Sequence, residues 1–182
     1  MNKLNLLCAA MSAVVVAGCA QTMDMKDGGA SAKFTPADCP DRGSQTPVGH
    51  CSGANCTIRV HVVWNGAAQT CEVLVDTLKM IVHGQRSEEV EIRWMLAGSP
   101  NWRFERAPTA PPPAFADPVI FKVPSQNPQN VFSDLKVRHN QASLVNKLVE
   151  RGPFDYKIRV RTTIGGSTVI LDSPDPAIFN EF

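Results

Sequence analysis

Proline and glycine cut this chain into short segments, and most segments between the cuts alternate apolar with polar residues. Fourteen prolines and twelve glycines are spread over 182 residues. Cys56, Ile58, Val60, Val62 and Trp64 alternate with Thr57, Arg59, His61 and Val63, the period of a half-buried strand. Asn65-Gly66 then predicts a tight two-residue hairpin turn, with Cys71, Val73 and Val75 on the return. Val90, Ile92, Trp94 and Leu96 form one face of the clearest strand, and Phe154, Tyr156, Ile158 and Val160 one face of another. Pro108, Pro111, Pro112, Pro113 and Pro118 exclude a central strand from 107–118. Only 141–150 departs from this rhythm: Leu144, Val145, Leu148 and Val149 sit at helical spacing before Gly152, which predicts one short helix. About eight short strands without βαβ alternation, repeats or a second domain predict an all-β chain, an antiparallel sandwich.

The chain opens differently. One lysine at position 3 precedes an apolar run of about 13 residues, too short for the ~20 that span a bilayer and suited to a signal-peptide core. The run ends in Val16-Ala17-Gly18-Cys19. This resembles the lipobox of bacterial lipoproteins. The resemblance implies a signal peptide over 1–18 and a mature chain that starts at Cys19, its thiol carrying a diacylglycerol. Two or three acyl chains, at ~0.8 kcal/mol per buried methylene, anchor a protein almost permanently. An Asp after the lipidated cysteine favours inner-membrane retention in this family. Ala20 and Gln21 stand there instead, which implies an outer-membrane anchor with the domain facing the periplasm.

Residues 19–48 hold no period of 2 or 3.6 and are rich in Gly, Ser, Asp and Pro, which predicts a flexible tether, with the sandwich over 49–182. Met23 and Met25 in that tether are thioethers suited to Cu(I), but two methionines in such a stretch are ordinary linker. Cys39, Cys51, Cys56 and Cys71 remain in the mature chain. An even count in an oxidising compartment predicts two disulfides over a zinc site, since no second matched pair follows Cys51 and Cys56. A tight hairpin at Asn65-Gly66 places Val60 opposite Cys71 and excludes a Cys56–Cys71 bond. With the return strand in the other sheet that bond survives, and the preferred pairing is Cys39–Cys51 with Cys56–Cys71.

Trp94 in mid-sheet and Tyr156 early in the penultimate strand resemble the core tryptophan and tyrosine corner of immunoglobulin-like domains. The likeness is architectural, because neither strand carries the cysteine of a true immunoglobulin. Asp175-Pro176-Ala177-Ile178-Phe179-Asn180 resembles the Asp-Pro-x-Ile-x-Asn ending of small envelope proteins of proteobacteria, a resemblance that implies no activity.

Chemistry is sparse. No Gly-x-Ser-x-Gly elbow, phosphate-binding glycine loop or His-Glu-x-x-His pair occurs. His50, His61, His83 and His139 are scattered, and His61 is expected on a solvated face. Glu88, Glu89 and Glu91 form a carboxylate cluster, and Lys157, Arg159 and Arg161 a basic stripe expected to protect a sheet edge. A net charge of +1, and of zero once Lys3 is removed (17 basic against 17 acidic), gives no footprint for nucleic acid. These features predict a non-enzymatic envelope module without metal or cofactor, held to the membrane through Cys19 and binding another envelope protein or serving a structural role. The alternatives are a periplasmic carrier of a small ligand or metal, and an envelope enzyme built on His61 and the glutamate cluster.

Overall fold

The structure, a computed structural model, describes residues 33–105, 118–122 and 128–182. The expected signal peptide, Cys19, Met23, Met25 and most of the 107–118 proline stretch lie outside the described residues. In chain order the strands are β1 (Thr46–Ser52), β2 (Asn55–Asn65), β3 (Thr70–Val75), β4 (Thr77–His83), β5 (Val90–Ala97), β6 (Val119–Phe121), β7 (Phe132–Arg138), β8 (Gln141–Asn146), β9 (Gly152–Ile164), β10 (Ser167–Asp172) and β11 (Ala177–Glu181). A 3-10 turn at Pro36–Asp38 and a four-residue helix at Pro128–Val131 complete the described elements.

The predicted all-β sandwich is what forms. One sheet runs β1-β4-β11-β9-β10, with β6 also on β9; the other runs β3-β2-β5-β8-β7. Pairing is not purely antiparallel as expected. β1 with β4, β4 with β11, and β2 with β5 are parallel, so both sheets are mixed. β9 is thirteen residues long and takes partners in succession: β11 near its start, β6 in its middle and β10 in its second half.

The alternating faces meet as the sequence predicts. Ile58, Val60 and Val62 of β2, Ile92 and Trp94 of β5, and Phe154, Tyr156, Ile158 and Val160 of β9 are all buried. Trp94 Nε1 donates to Tyr156 Oη at 3.1 Å across the two sheets, with the rings edge-on at 66°. Burial pushes the Tyr156 hydroxyl far above its usual range, against the opposing hydrogen bond from Trp94, so it stays protonated. Tyr156→Phe strands the buried indole N–H, and is expected to cost about 1–3 kcal/mol. The check is a lower urea midpoint at unchanged m-value.

Three expectations are corrected. Residues 141–146 form β8 instead of a helix, because the segment pairs on both sides, with β5 and β7. Those ladders bury Ala142, Ser143, Leu144 and Asn146, which outweighs the helical spacing of four aliphatic residues. The β2–β3 turn is a four-residue loop, since Asn65 pairs with Thr70. Asn65 Oδ1 accepts the N–H groups of Ala67 and Ala68, both at 3.0 Å, so the asparagine closes the loop from outside instead of occupying its centre. Packed structure also starts within the expected tether: Phe34 and Cys39 are buried.

The wider loop changes the cysteine geometry. Val60 now faces Val75, and Cys71 faces Trp64. Cys56 lies eight residues along β2 from Trp64, about 26 Å at the strand rise and far beyond the ~7 Å a disulfide allows between Cα atoms. The bonds are Cys39–Cys71 and Cys51–Cys56, with Cα atoms 5.9 and 5.7 Å apart, not the preferred pairing. Cys51–Cys56 closes the corner where the chain passes from β1 in one sheet to β2 in the other.

Candidate functional site

Three neighbouring strands place two histidines and a glutamate side by side. β4 is flanked by β1 and β11, both parallel to it, with Ser52 and Glu181 in register with His83, and His50 with Ile81. Met80, Val82, Ile178 and Asn180 are buried in the sandwich, so by the two-residue period Ile81, His83 and Glu181 face outward. His50 Nδ1 lies 2.9 Å from His83 Nε2, and His83 Nδ1 lies 3.0 Å from Glu181 Oε2. The imidazole planes are 9° from parallel, with centroids 5.3 Å apart. Nitrogens so much closer than centroids mean that the rings meet edge to edge.

The carboxylate fixes the protons. Glu181 accepts only, so His83 Nδ1 carries a proton; in neutral His83 the Nε2 atom is then an acceptor, and His50 Nδ1 donates to it. Beside Glu181 an open recess of about 470 Å³ is lined by Arg151, Gly152, Phe179, Asn180 and Glu181. Lys79 Nζ sits 4.4 Å from the Phe179 ring centroid, and the Arg151 guanidinium 5.1 Å from that of Phe182. Sequence reading missed this group because His50 and His83 are 33 residues apart. Only the parallel β1–β4 register joins them, and no local motif encodes it.

His61 is not solvated. It is 9% exposed, and its Nδ1 lies 2.8 Å from Asp41 Oδ2. Pro40 and Asp41 bridge to Val63, which lays residues 40–43 over β2 and covers the histidine. Gly43 is required there, because a Cβ would sit 2.1 Å from His61 Cγ. The His61–Asp41 hydrogen bond, at low exposure, thus helps hold a covering segment onto the sheet.

The remaining candidates are dispersed. Glu91 is in register with Asn55, and His61 with Ala97. Six residues of ladder separate Glu91 from Ala97, so the two parts of the proposed enzyme centre stand about 20 Å apart. Glu91 is held by Arg93, whose hydrogen bond keeps the carboxyl below its usual range despite partial desolvation. Glu88 Oε2 accepts the Gln85 N–H at 2.8 Å, and Glu89 is exposed. The basic stripe lies on β9, which is paired along both sides and is no edge. Arg159 makes a two-pronged ion pair with Asp172 at 2.7 and 2.9 Å, and Arg161 is 9% exposed. Among the described residues no group of three or more His, Cys, Asp and Glu is placed to enclose a metal ion.

In comparisons with known proteins, no family model matches this chain and no curated protein does.

Proposed function

We propose that this is a lipid-anchored module of a bacterial outer membrane, facing the periplasm, that binds another envelope protein or serves a structural role without chemistry of its own. One observation carries the reading: all four cysteines that follow Cys19 are joined in two disulfides. Such complete pairing fits an exported protein, in keeping with the lipobox resemblance at Val16-Ala17-Gly18-Cys19. Among the described residues the first that is buried is Phe34, and 14 residues lie between it and Cys19. Fully extended, these reach at most ~50 Å, enough to present the sandwich clear of the membrane surface. The dispersed His61 and glutamate cluster support binding over catalysis.

Mass spectrometry of the mature N-terminus tests the anchor. The expected species begins at Cys19 with a thioether-linked diacylglycerol, and Cys19→Ala removes the protein from outer-membrane fractions. An unmodified terminus elsewhere overturns the anchor. Affinity purification from gently solubilised envelopes tests the binding role; a specific companion lost with Cys19→Ala is the expected result.

A further inference from the structure

We propose that His50 and His83 form a surface site for one divalent late transition-metal ion, Cu²⁺ ahead of Ni²⁺ and Zn²⁺, with Glu181 orienting His83. The site goes beyond the anchored-module reading and does not depend on it.

Three features carry the assignment. The first is convergence: two imidazole nitrogens from adjacent parallel strands lie 2.9 Å apart. To bind one ion at about 2.0–2.1 Å, the rings turn out of this hydrogen-bonded geometry until both lone pairs point at the metal. For imidazole donors the Irving–Williams order then places Cu²⁺ ahead of Ni²⁺ and Zn²⁺. The second is the carboxylate. Glu181 accepts the His83 Nδ1–H at 3.0 Å, which leaves Nε2 as the lone-pair donor, the arrangement found behind metal-bound histidines. The third is access. The His83 and Glu181 side chains are 38% and 57% exposed, and His50 is exposed on the outer strand of its sheet. The rings can therefore turn toward a shared ion, and water fills its other positions.

Proton balance is simple. In the neutral pair one proton lies between the two facing nitrogens. When the metal takes both lone pairs, that proton moves to His50 Nε2, and none is released. The other histidines do not compete on these terms: His61 is tied to Asp41 at low exposure, and His139 is a single imidazole in a turn.

The test uses the untagged full-length protein in detergent, titrated calorimetrically with Cu²⁺ and then Ni²⁺. One ion per chain is expected, and the electron paramagnetic resonance spectrum of the Cu²⁺ adduct should show coupling to two imidazole nitrogens. His50→Gln or His83→Gln should weaken binding at least tenfold, and Glu181→Gln about tenfold with stoichiometry kept. His139→Gln should change nothing. Absence of binding, coupling to a single nitrogen, or affinity indifferent to His50→Gln and His83→Gln overturns the site. The wild-type spectrum decides the ligand number whether or not a variant folds.

Discussion

Replacing Cys39 and Cys71 together by serine is expected to destabilise the sandwich more than replacing Cys51 and Cys56. The first bond spans 32 residues and the second five. In the chain-entropy model these separations correspond to about 3.7 and about 2.1 kcal/mol. Location widens the gap. Cys39 fixes a segment that otherwise holds to the sheets by few contacts: the Phe34 ring against Trp102, Trp102 Nε1 donating to the Asp38 carbonyl at 2.7 Å, the Pro40 and Asp41 bridges to Val63, and Asp41 against His61. Losing that bond exposes Trp102 and uncovers His61 as well as loosening the unfolded chain. Cys51–Cys56 closes a corner already held by β1 against β4 and by β2 against β5. Denaturant midpoints of the two double-serine variants provide the check. Equal midpoints, or a lower one for Cys51→Ser/Cys56→Ser, would contradict both the loop-length argument and the anchoring role of residues 34–43.

The same segment shows what was legible in the sequence. β2, β5 and β9 bury one face each, so their alternation declares both strand and core, and Trp94 and Tyr156 meet where those faces predict. Pairing partners leave no such mark. A parallel neighbour such as β4 for β1 arrives after two intervening strands, and nothing local in either sequence names the other. Hence the His50–His83–Glu181 group was invisible and the cysteines were mispaired. Turn chemistry misled for a different reason. Asn65-Gly66 favours a two-residue turn, but the Asn65 side chain satisfies two backbone N–H groups only if the loop opens by two more residues. His61 was misplaced because a β2 position polar by sequence is covered by residues 40–43, which carry no strand period of their own.

Asn180→Leu is expected to cost about 2–4 kcal/mol, a large loss for a domain of this size. Asn146 on β8 and Asn180 on β11 are both fully buried, in opposite sheets, and their amides face each other. Asn146 Nδ2 donates to Asn180 Oδ1 at 2.6 Å, and Asn180 Nδ2 donates to Asn146 Oδ1 at 3.1 Å. Asn180 Nδ2 also reaches the Glu150 carbonyl at 3.1 Å, and Asn146 Oδ1 accepts the Leu148 N–H at 3.2 Å. Removing one amide leaves the other buried without its partner, which is where the cost arises. Removing both exchanges two satisfied amides for apolar contact and strands mainly the Leu148 N–H. Asn146→Leu/Asn180→Leu is therefore expected to cost less than the sum of the single changes, by about 1–3 kcal/mol. Additive costs in a urea double-mutant cycle would mean that the amides act separately. The coupled result would identify the pair as a register lock: in an apolar interlayer, sliding one sheet over the other separates the amides and leaves both unsatisfied, a penalty that aliphatic side chains cannot impose.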